Sequence, residues 1–320
     1  MTQLKVTKDL EILKGNTQNV FCSKAFLELQ SKEYGWIYNE EFFIPFYISE
    51  KYFFRRLIFT SDPVGRNPIL LKEKKQIFID ECVNQIKNLL KVDFISCSPT
   101  YVLFETTPKN SVSCDFGTYI INLKLNKEDL YSNLHSKHRN VIKKSMKNGV
   151  KVCFGLNHLN DSYKIINNTH QRQNITFPTL EEINNLTKAM EGNILCVTAS
   201  IDDEIQGAAI ILWNKLSGHY LYGGSISKPY TGAMNYLQWE VILKLKSLGV
   251  KEYNLVGARL NPKRGSKIEG IQRFKSRFGA ELQSGYLWKH NYNRYKAVLY
   301  NILILVKTGR FSKDIIDNEK

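Results

Sequence analysis

The stretch "NILCVTASIDDEIQGAAIILWNKLSGHYLYGGSI", Asn193 to Ile226, holds three apolar runs of strand length. Asp202–Asp203 separates the first two runs, and "NKLSGH" separates the second from the third. Short turn-forming segments between apolar runs predict antiparallel hairpins, here a three-stranded meander. Asp202, Asp203 and Glu204 read as a hairpin turn rather than a catalytic carboxylate pair, because Asp tolerates the backbone of tight turns.

Downstream, "SKPYTGAMNYLQWEVILKLKSLGV" predicts a Pro/Gly turn and then a helix. Leu237, Val241, Leu245 and Leu248 share one helical face, and Gly249 ends it. "KEYNLVGA" reads as a strand, "GIQRFKSRFGAEL" (Gly270 to Leu282) carries a short helix, and "AELQSGYLWKH" is a final strand. Upstream lie two helices, "SYKIINNTHQRQ" and "TLEEINNLTKAM", the second opened by Thr179. The order is therefore helix, helix, three strands, turn, helix, strand, helix, strand.

The first half reads as mixed α/β. "GWIYNEEFFIPFYI" predicts two strands around a turn at Asn39–Glu40. "EKKQIFIDECVNQIKNLLK" predicts a helix with Ile77, Val83, Ile86, Leu89 and Leu90 as its stripe. "VDFISCSP", "YVLFETTP" and "GTYIINLKL" read as strands. Asn126 caps one long helix through "NKEDLYSNLHSKHRNVIKKSMKNG", with Leu130, Leu134, Val141 and Ile142 inward and Gly149 as its stop. The expectation is an α/β chain of two domains, 1–149 and 150–320, with residues 290–320 free to pack back on the first.

Charge is the outlying property. The 320 residues hold 45 Lys+Arg against 30 Asp+Glu, a net +15, which favours an anionic partner such as nucleic acid, a nucleotide or an acidic lipid surface. Tyr131 to Lys151 carries Lys137, Arg139, Lys143, Lys144, Lys147 and Lys151 with no acid. Arg259 to Lys296 carries ten basic residues against Glu269 and Glu281. Solubility alone does not require such clustering.

The cysteines at 22, 82, 97, 114, 153 and 196 form no C-x-x-C pair and read as buried free thiols of a reducing compartment. "MTQLKVTKDLEILKG" has no apolar signal core, so a cytoplasmic location is expected. "AVLYNILILV", Ala297 to Val306, is about half the ~20 residues that span a bilayer. Arg294 and Lys296 before it, with Lys307 and Arg310 after it, would let it rest on an anionic membrane surface. A terminal helix packed on the body is the plainer expectation. His135 and His138 share a basic helix that would repel a divalent metal. No zinc, P-loop or serine-nucleophile motif is present, and no metal site is expected.

The order of elements resembles the GNAT acyltransferase fold. In that fold the helix after the meander holds a cofactor pyrophosphate on its N-terminal amides, as helix N-termini generally favour anions. Here "KPYTGAM" supplies Gly232 and Ala233, with Lys228 one residue too far from them for the usual acyl-CoA loop. A closer resemblance joins "RNVIKKSMKNGVKV", the stretch from His219 to Ala258, and "GIQRFKSRFGAEL". Together they resemble the Fem family of peptidoglycan bridge-forming aminoacyl transferases in its compact members, which lack a helical arm. The resemblance implies two GNAT-like domains with mixed sheets. It also implies transfer of an amino acid from aminoacyl-tRNA to an amine of a UDP- or lipid-linked precursor, with tRNA as partner and no bound cofactor.

Phe274, Lys275, Phe278 and Gly279 fit the family's Phe-Lys, two residues, Phe-Gly pattern, which places Lys275 and Phe274 in the catalytic group. A fixed cation suits the reaction, because an amine attacking an ester builds up a tetrahedral oxyanion. On a helix Ile271, Phe274 and Phe278 make one stripe with Lys275 on its flank, and the bland reading of Lys275 is a solvated side chain covering apolar surface. Arg172, Arg139, Tyr236, Lys228, Gly232 and Asn254 complete the candidate substrate-binding set. Gly257 would let backbone approach the site closely. Two other readings stay open: an acyl-CoA-dependent N-acyltransferase acting on an amino sugar or nucleotide sugar in surface polysaccharide synthesis, and a non-catalytic RNA- or membrane-binding protein.

Overall fold

The computed structural model describes residues 3–13, 19–66, 72–308 and 314–319. The chain forms two compact units, Met1–Gly117 with Ser284–Lys320, and Thr118–Gln283. Gly149, the expected joint, lies inside the second unit and ends a helix there at φ 82°.

In the first unit β1 (Lys5–Thr7) is followed by α1 (Lys24–Gln30), β2 (Tyr34–Tyr38), β3 (Phe42–Lys51), β4 (Phe54–Phe59) and β5 (Val64–Gly65), and then by α2 (Lys72–Leu90) and β6 (Phe94–Ile95). The sheet runs β1-β2-β3-β4-β6, with β5 beside β3 and only β4–β6 parallel. The Asn39 turn forms as expected, its side chain accepting the amides of Glu41 and Phe42 at 2.9 and 2.8 Å. The α2 stripe is set differently. Phe78, Ile79, Cys82, Val83 and Ile86 are buried, whereas Ile77 and Leu89 face solvent. "YVLFETTP" is not a strand: Phe104 makes one bridge to Tyr286, and the Glu105 amide turns to the Asp62 carboxylate.

The second unit begins within β7 (Val112–Asn122). It continues through α3 (Lys127–Asn133), α4 (Ser136–Lys147), β8 (Lys151–Phe154), α5 (Leu159–Gln171), α6 (Leu180–Ala189), β9 (Ile194–Ile201), β10 (Glu204–Trp213) and β11 (Ser217–Ser225). Then come α7 (Ala233–Ser247), β12 (Glu252–Asn254) and α8 (Lys267–Ser276). Its sheet order is β7-β12-β11-β10-β9-β8, antiparallel except for β11–β12. The meander is the predicted one, turning at Asp202 and Asp203 with φ 49° and 62°. Thr179 and Glu182 form a reciprocal cap on α6.

The expected long basic helix is two helices. It breaks at Leu134, and the His135 amide donates instead to the Arg277 carbonyl at 2.9 Å. The core gathers Leu130, Leu134, Ile142, Leu237, Val241, Leu245 and Phe278 under the sheet.

The chain re-enters the first unit along β13 (Glu281–Asn291), which pairs with β6, and ends in α9 (Arg294–Thr308) and α10 (Ile315–Asn318). All six cysteines are free; Cys22, Cys82 and Cys196 are buried, but Cys153 is exposed on β8, which ends the sheet.

Candidate active site

The pairing of β11 with β12 stops at His219 and Asn254. Beyond that point β11 follows β10 to Ser225, with Leu221 as an extra residue that breaks the register. The chain after Asn254 leaves strand geometry altogether. Val256 stands at φ 44° and Gly257 at φ 38°. Left-handed backbone costs a residue with a Cβ roughly 1–2 kcal/mol, and such strain persists only where neighbours enforce it.

Three buried polar side chains enforce it. Asn254 Oδ1 accepts the Val256 amide at 2.7 Å and the Thr118 hydroxyl at 2.5 Å. Lys275 Nζ donates to the carbonyls of Val256 and Gly257, the latter at 2.7 Å. Gln272, one turn earlier on α8, donates to the Arg259 carbonyl. The inward polar face of α8 thus grips the loop that follows β12.

The sequence pattern around Lys275 explains how α8 is held for this. Ser266 caps its start, accepting the Glu269 amide at 3.2 Å. Phe278 packs edge-on to His138 with centroids 4.6 Å apart, and Phe274 packs on both. Gly279, at φ 73°, lies so close to α3 that an added Cβ would sit 2.8 Å from the Asn133 Cβ. Phe274, Phe278 and Gly279 therefore dock α8 on the α3–α4 junction, which places Phe274 in the packing. Ile271 does not belong to the stripe, since it is 41% exposed; the buried positions are Gln272, Lys275 and Phe278.

Lys275 is 8% exposed, which removes the solvated-flank reading. Burial lowers its pKa to about 8. At neutral pH it is an ammonium with three N–H donors, two of them on carbonyls. Among the described residues no carboxylate lies within ion-pair distance of it. A buried cation without a counter-charge is suited to receiving an anion or a developing oxyanion.

The other candidates fall in different places. Arg172 closes α5 beside the end of β11, donating to the Ser225 carbonyl and to the Thr169 hydroxyl at 3.0 Å. Thr169 also takes the Ser225 amide at 3.0 Å, and Gly224 lets the α5 backbone approach there. Lys228 is exposed with no partner among the described residues. Gly232, at φ 92°, starts α7 against α4; an added Cβ would lie 2.6 Å from the Val141 carbonyl oxygen and 2.5 Å from Ser145 Oγ. Tyr236 packs against the core and hydrogen-bonds Glu240, whose pKa burial raises. Arg139 is engaged by the end of α3, donating to the carbonyls of Ser132 (2.8 Å) and Leu134.

The second basic cluster is divided by the fold. Lys289 and Lys296 belong to the first unit and pair with Asp314, Asp317 and Asp93. Lys137, Lys143, Lys144, Lys147 and Lys151 make no ion pair among the described residues. His138 is buried, with its pKa pushed down to about 4, first by desolvation and then by Arg277 and His135. No His, Cys, Asp or Glu group of metal-binding size occurs among the described residues.

Val256, Thr118 and Gln272 carried no sequence signal that marked them. A valine before a glycine in "NLVGA" reads as strand, and only its φ shows otherwise.

The model of the FemAB family matches residues 81–204. Over that segment the chain is similar to the FemAB family. Curated protein sequences give no significant match. Among solved structures, FemX aligns at TM-score 0.68 and 11% identity, covering 93% of this chain and 99% of its own. The C-terminal domain (DUF2156) of a putative lysylphosphatidylglycerol synthetase from Agrobacterium fabrum aligns at 0.56 and 13%, covering 93% and 95%. A tandem GNAT protein from the clavulanic acid biosynthesis pathway aligns at 0.52 and 7%, covering 91% and 98%. The fold is therefore the tandem GNAT type that the order of elements implied. Together with the FemAB match it supports an acyltransferase kind of enzyme. The matched residues 81–204 end before Asn254 and Lys275, so the reading of those two rests on geometry.

Proposed function

We propose that this Fem-like chain transfers an amino acid from aminoacyl-tRNA to an amine of a UDP- or lipid-linked peptidoglycan precursor, without a bound cofactor. The observation that carries the reading is the buried, uncompensated Lys275 ammonium on the Val256–Gly257 turn. In the reaction the acceptor nitrogen bonds to the ester carbonyl carbon, and a tetrahedral oxyanion forms. The ester C–O bond then breaks, and the tRNA ribose oxygen leaves as a hydroxyl. Before attack the acceptor ammonium gives up one proton to substrate phosphate or to water, and a second proton passes from the attached nitrogen to the departing ribose oxygen. Lys275 stabilises the oxyanion or a carrier phosphate; loss of a single oxyanion-hole donor costs roughly 2.7–4 kcal/mol in enzymes that use one. Asn254 and Thr118 act through the turn and are positioning residues. Arg172, near the end of β11, and Lys228 are the cations offered to the carrier.

The acyl-CoA reading needs an open start to α7. Gly232 is instead pressed against Val141 and Ser145, which weighs against a pyrophosphate there. Parallel assays with aminoacyl-tRNA plus a UDP-linked muropeptide, and with acetyl-CoA plus the same acceptor, test the proposal. Transfer only from aminoacyl-tRNA supports it. Tight CoA binding with acyl turnover overturns the donor assignment.

A further inference from the structure

Helix α9, "RYKAVLYNILILVKT", is apolar on two sides, and the first unit covers one of them. On the inner side the Tyr300 hydroxyl accepts from Arg56 at 2.8 Å, its ring packs edge-on to Phe54 at 5.5 Å, and Ile304 is buried. On the outer side Tyr295, Val298, Leu299, Ile302 and Val306 are 88, 54, 44, 46 and 79% exposed. Their spacing of i, i+3, i+4, i+7 and i+11 makes one continuous face. Contiguous exposed apolar surface of this sort marks an interaction site. The plainer expectation of a helix wholly packed on the body thus describes only half of α9; Arg310, expected beyond it, lies outside the described residues.

The turn between β3 and β4 extends the surface at the C-terminal end of α9. Tyr52 and Phe53 both have positive φ, and Phe53 is 76% exposed. Lys307 and Lys51 lie 5.3 and 5.5 Å from the centre of the Tyr52 ring. Residues 294–308 contain no acid and carry Arg294 and Lys296 at one end and Lys307 at the other. Protein interface cores are depleted in lysine, whereas an apolar face flanked by lysines and aromatics fits the lipid interface. No helix among the described residues is long and apolar enough to cross a membrane. At about 22 Å, α9 is shorter than the hydrocarbon core. It would lie in the plane of the surface.

We propose that the outer face of α9, with the Phe53 turn, docks on an anionic phospholipid bilayer. This does not depend on the transfer chemistry. The test sediments the full chain with phosphatidylcholine vesicles and with vesicles that also contain phosphatidylglycerol. The expected result is binding to the phosphatidylglycerol vesicles that weakens as salt rises. The paired variant Ile302→Asp/Val306→Asp, at exposed positions, should lower the partition coefficient roughly tenfold or more while melting like the parent. Lys51→Gln/Lys307→Gln should lower it several-fold on phosphatidylglycerol vesicles and not on phosphatidylcholine alone. A parent chain that stays in the supernatant, or an Ile302→Asp/Val306→Asp chain that sediments equally, overturns the proposal. So does a dimer mass in light scattering that Ile302→Asp abolishes, which would assign the face to a second copy.

Discussion

The Lys275 ammonium donates to the Gly257 carbonyl at 2.7 Å, and that bond ties the last helix of the second unit to a strained turn. A neutral donor would satisfy the carbonyl at lower desolvation cost, as Gln272 does for Arg259. A lysine at this place keeps a positive charge out of water beside the end of β12. The proposed chemistry gives that charge a use.

The turn itself is testable through Val256. Glycine accepts φ 44° freely, whereas alanine keeps the Cβ that opposes it. Val256→Gly should therefore be more stable than Val256→Ala by about 1 kcal/mol in urea unfolding. Equal stabilities, or a more stable alanine variant, would show that the turn carries no such strain.

Gly279 and Gly249 separate crowding from conformation. Both have positive φ, 73° and 76°, but nothing lies within 4 Å of a Cβ built on Gly249, whereas Asn133 obstructs one on Gly279. Gly249→Ala should cost about 1 kcal/mol. Gly279→Ala should cost more than about 2 kcal/mol, because α3 must also move. Thermal or denaturant melts of the two variants check the difference.

Much of the second unit was legible because its signals are local. The Asp202–Asp203 turn, the Thr179 cap and the glycine stops each lie within a few residues of what they control. The break at Leu134 was not legible. Its cause is the Arg277 carbonyl, more than a hundred residues away, which takes the His135 amide. The Phe-Lys pattern singled out Lys275, and the helical stripe placed it on a flank. Its burial depends on the φ of Val256 and on the carbonyls that this φ turns toward α8, neither of which has a residue-type signature. The division of the basic cluster likewise followed from β13 returning to the first unit, a matter of topology rather than spacing.

Acid sensitivity should include a contribution from His138. Its pKa is about 4 in the fold against ~6.5 unfolded. Between these values the unfolded chain binds more protons, so stability falls as pH drops from about 6.5 toward 4, by about 3 kcal/mol in full. His138→Phe, packed between Phe274 and Phe278, should flatten that dependence relative to the parent. Denaturant midpoints at pH 7 and pH 5 measure it; an unchanged difference between the two pH values would contradict the assignment.

Arg172 offers a split between binding and turnover. It is exposed and, among the described residues, its side chain is bound only to the Ser225 carbonyl and Thr169, so Arg172→Ala should change the melting temperature little. If it also meets a carrier phosphate, KM for the UDP-linked acceptor should rise about tenfold or more with kcat less affected. An unchanged KM would leave Arg172 as a clamp on β11 alone.

The most direct measurement is the pH profile of kcat/KM for aminoacyl transfer by the parent, Lys275→Arg and Lys275→Met, each shown by circular dichroism to be folded. The parent profile should fall above about pH 8 as Lys275 loses its proton. Lys275→Arg should lose that basic limb because a guanidinium stays charged, and Lys275→Met should lower kcat/KM by about a hundredfold or more across the range. Parent-like transfer by folded Lys275→Met would contradict the account, leaving Lys275 as a brace for the turn and nothing more.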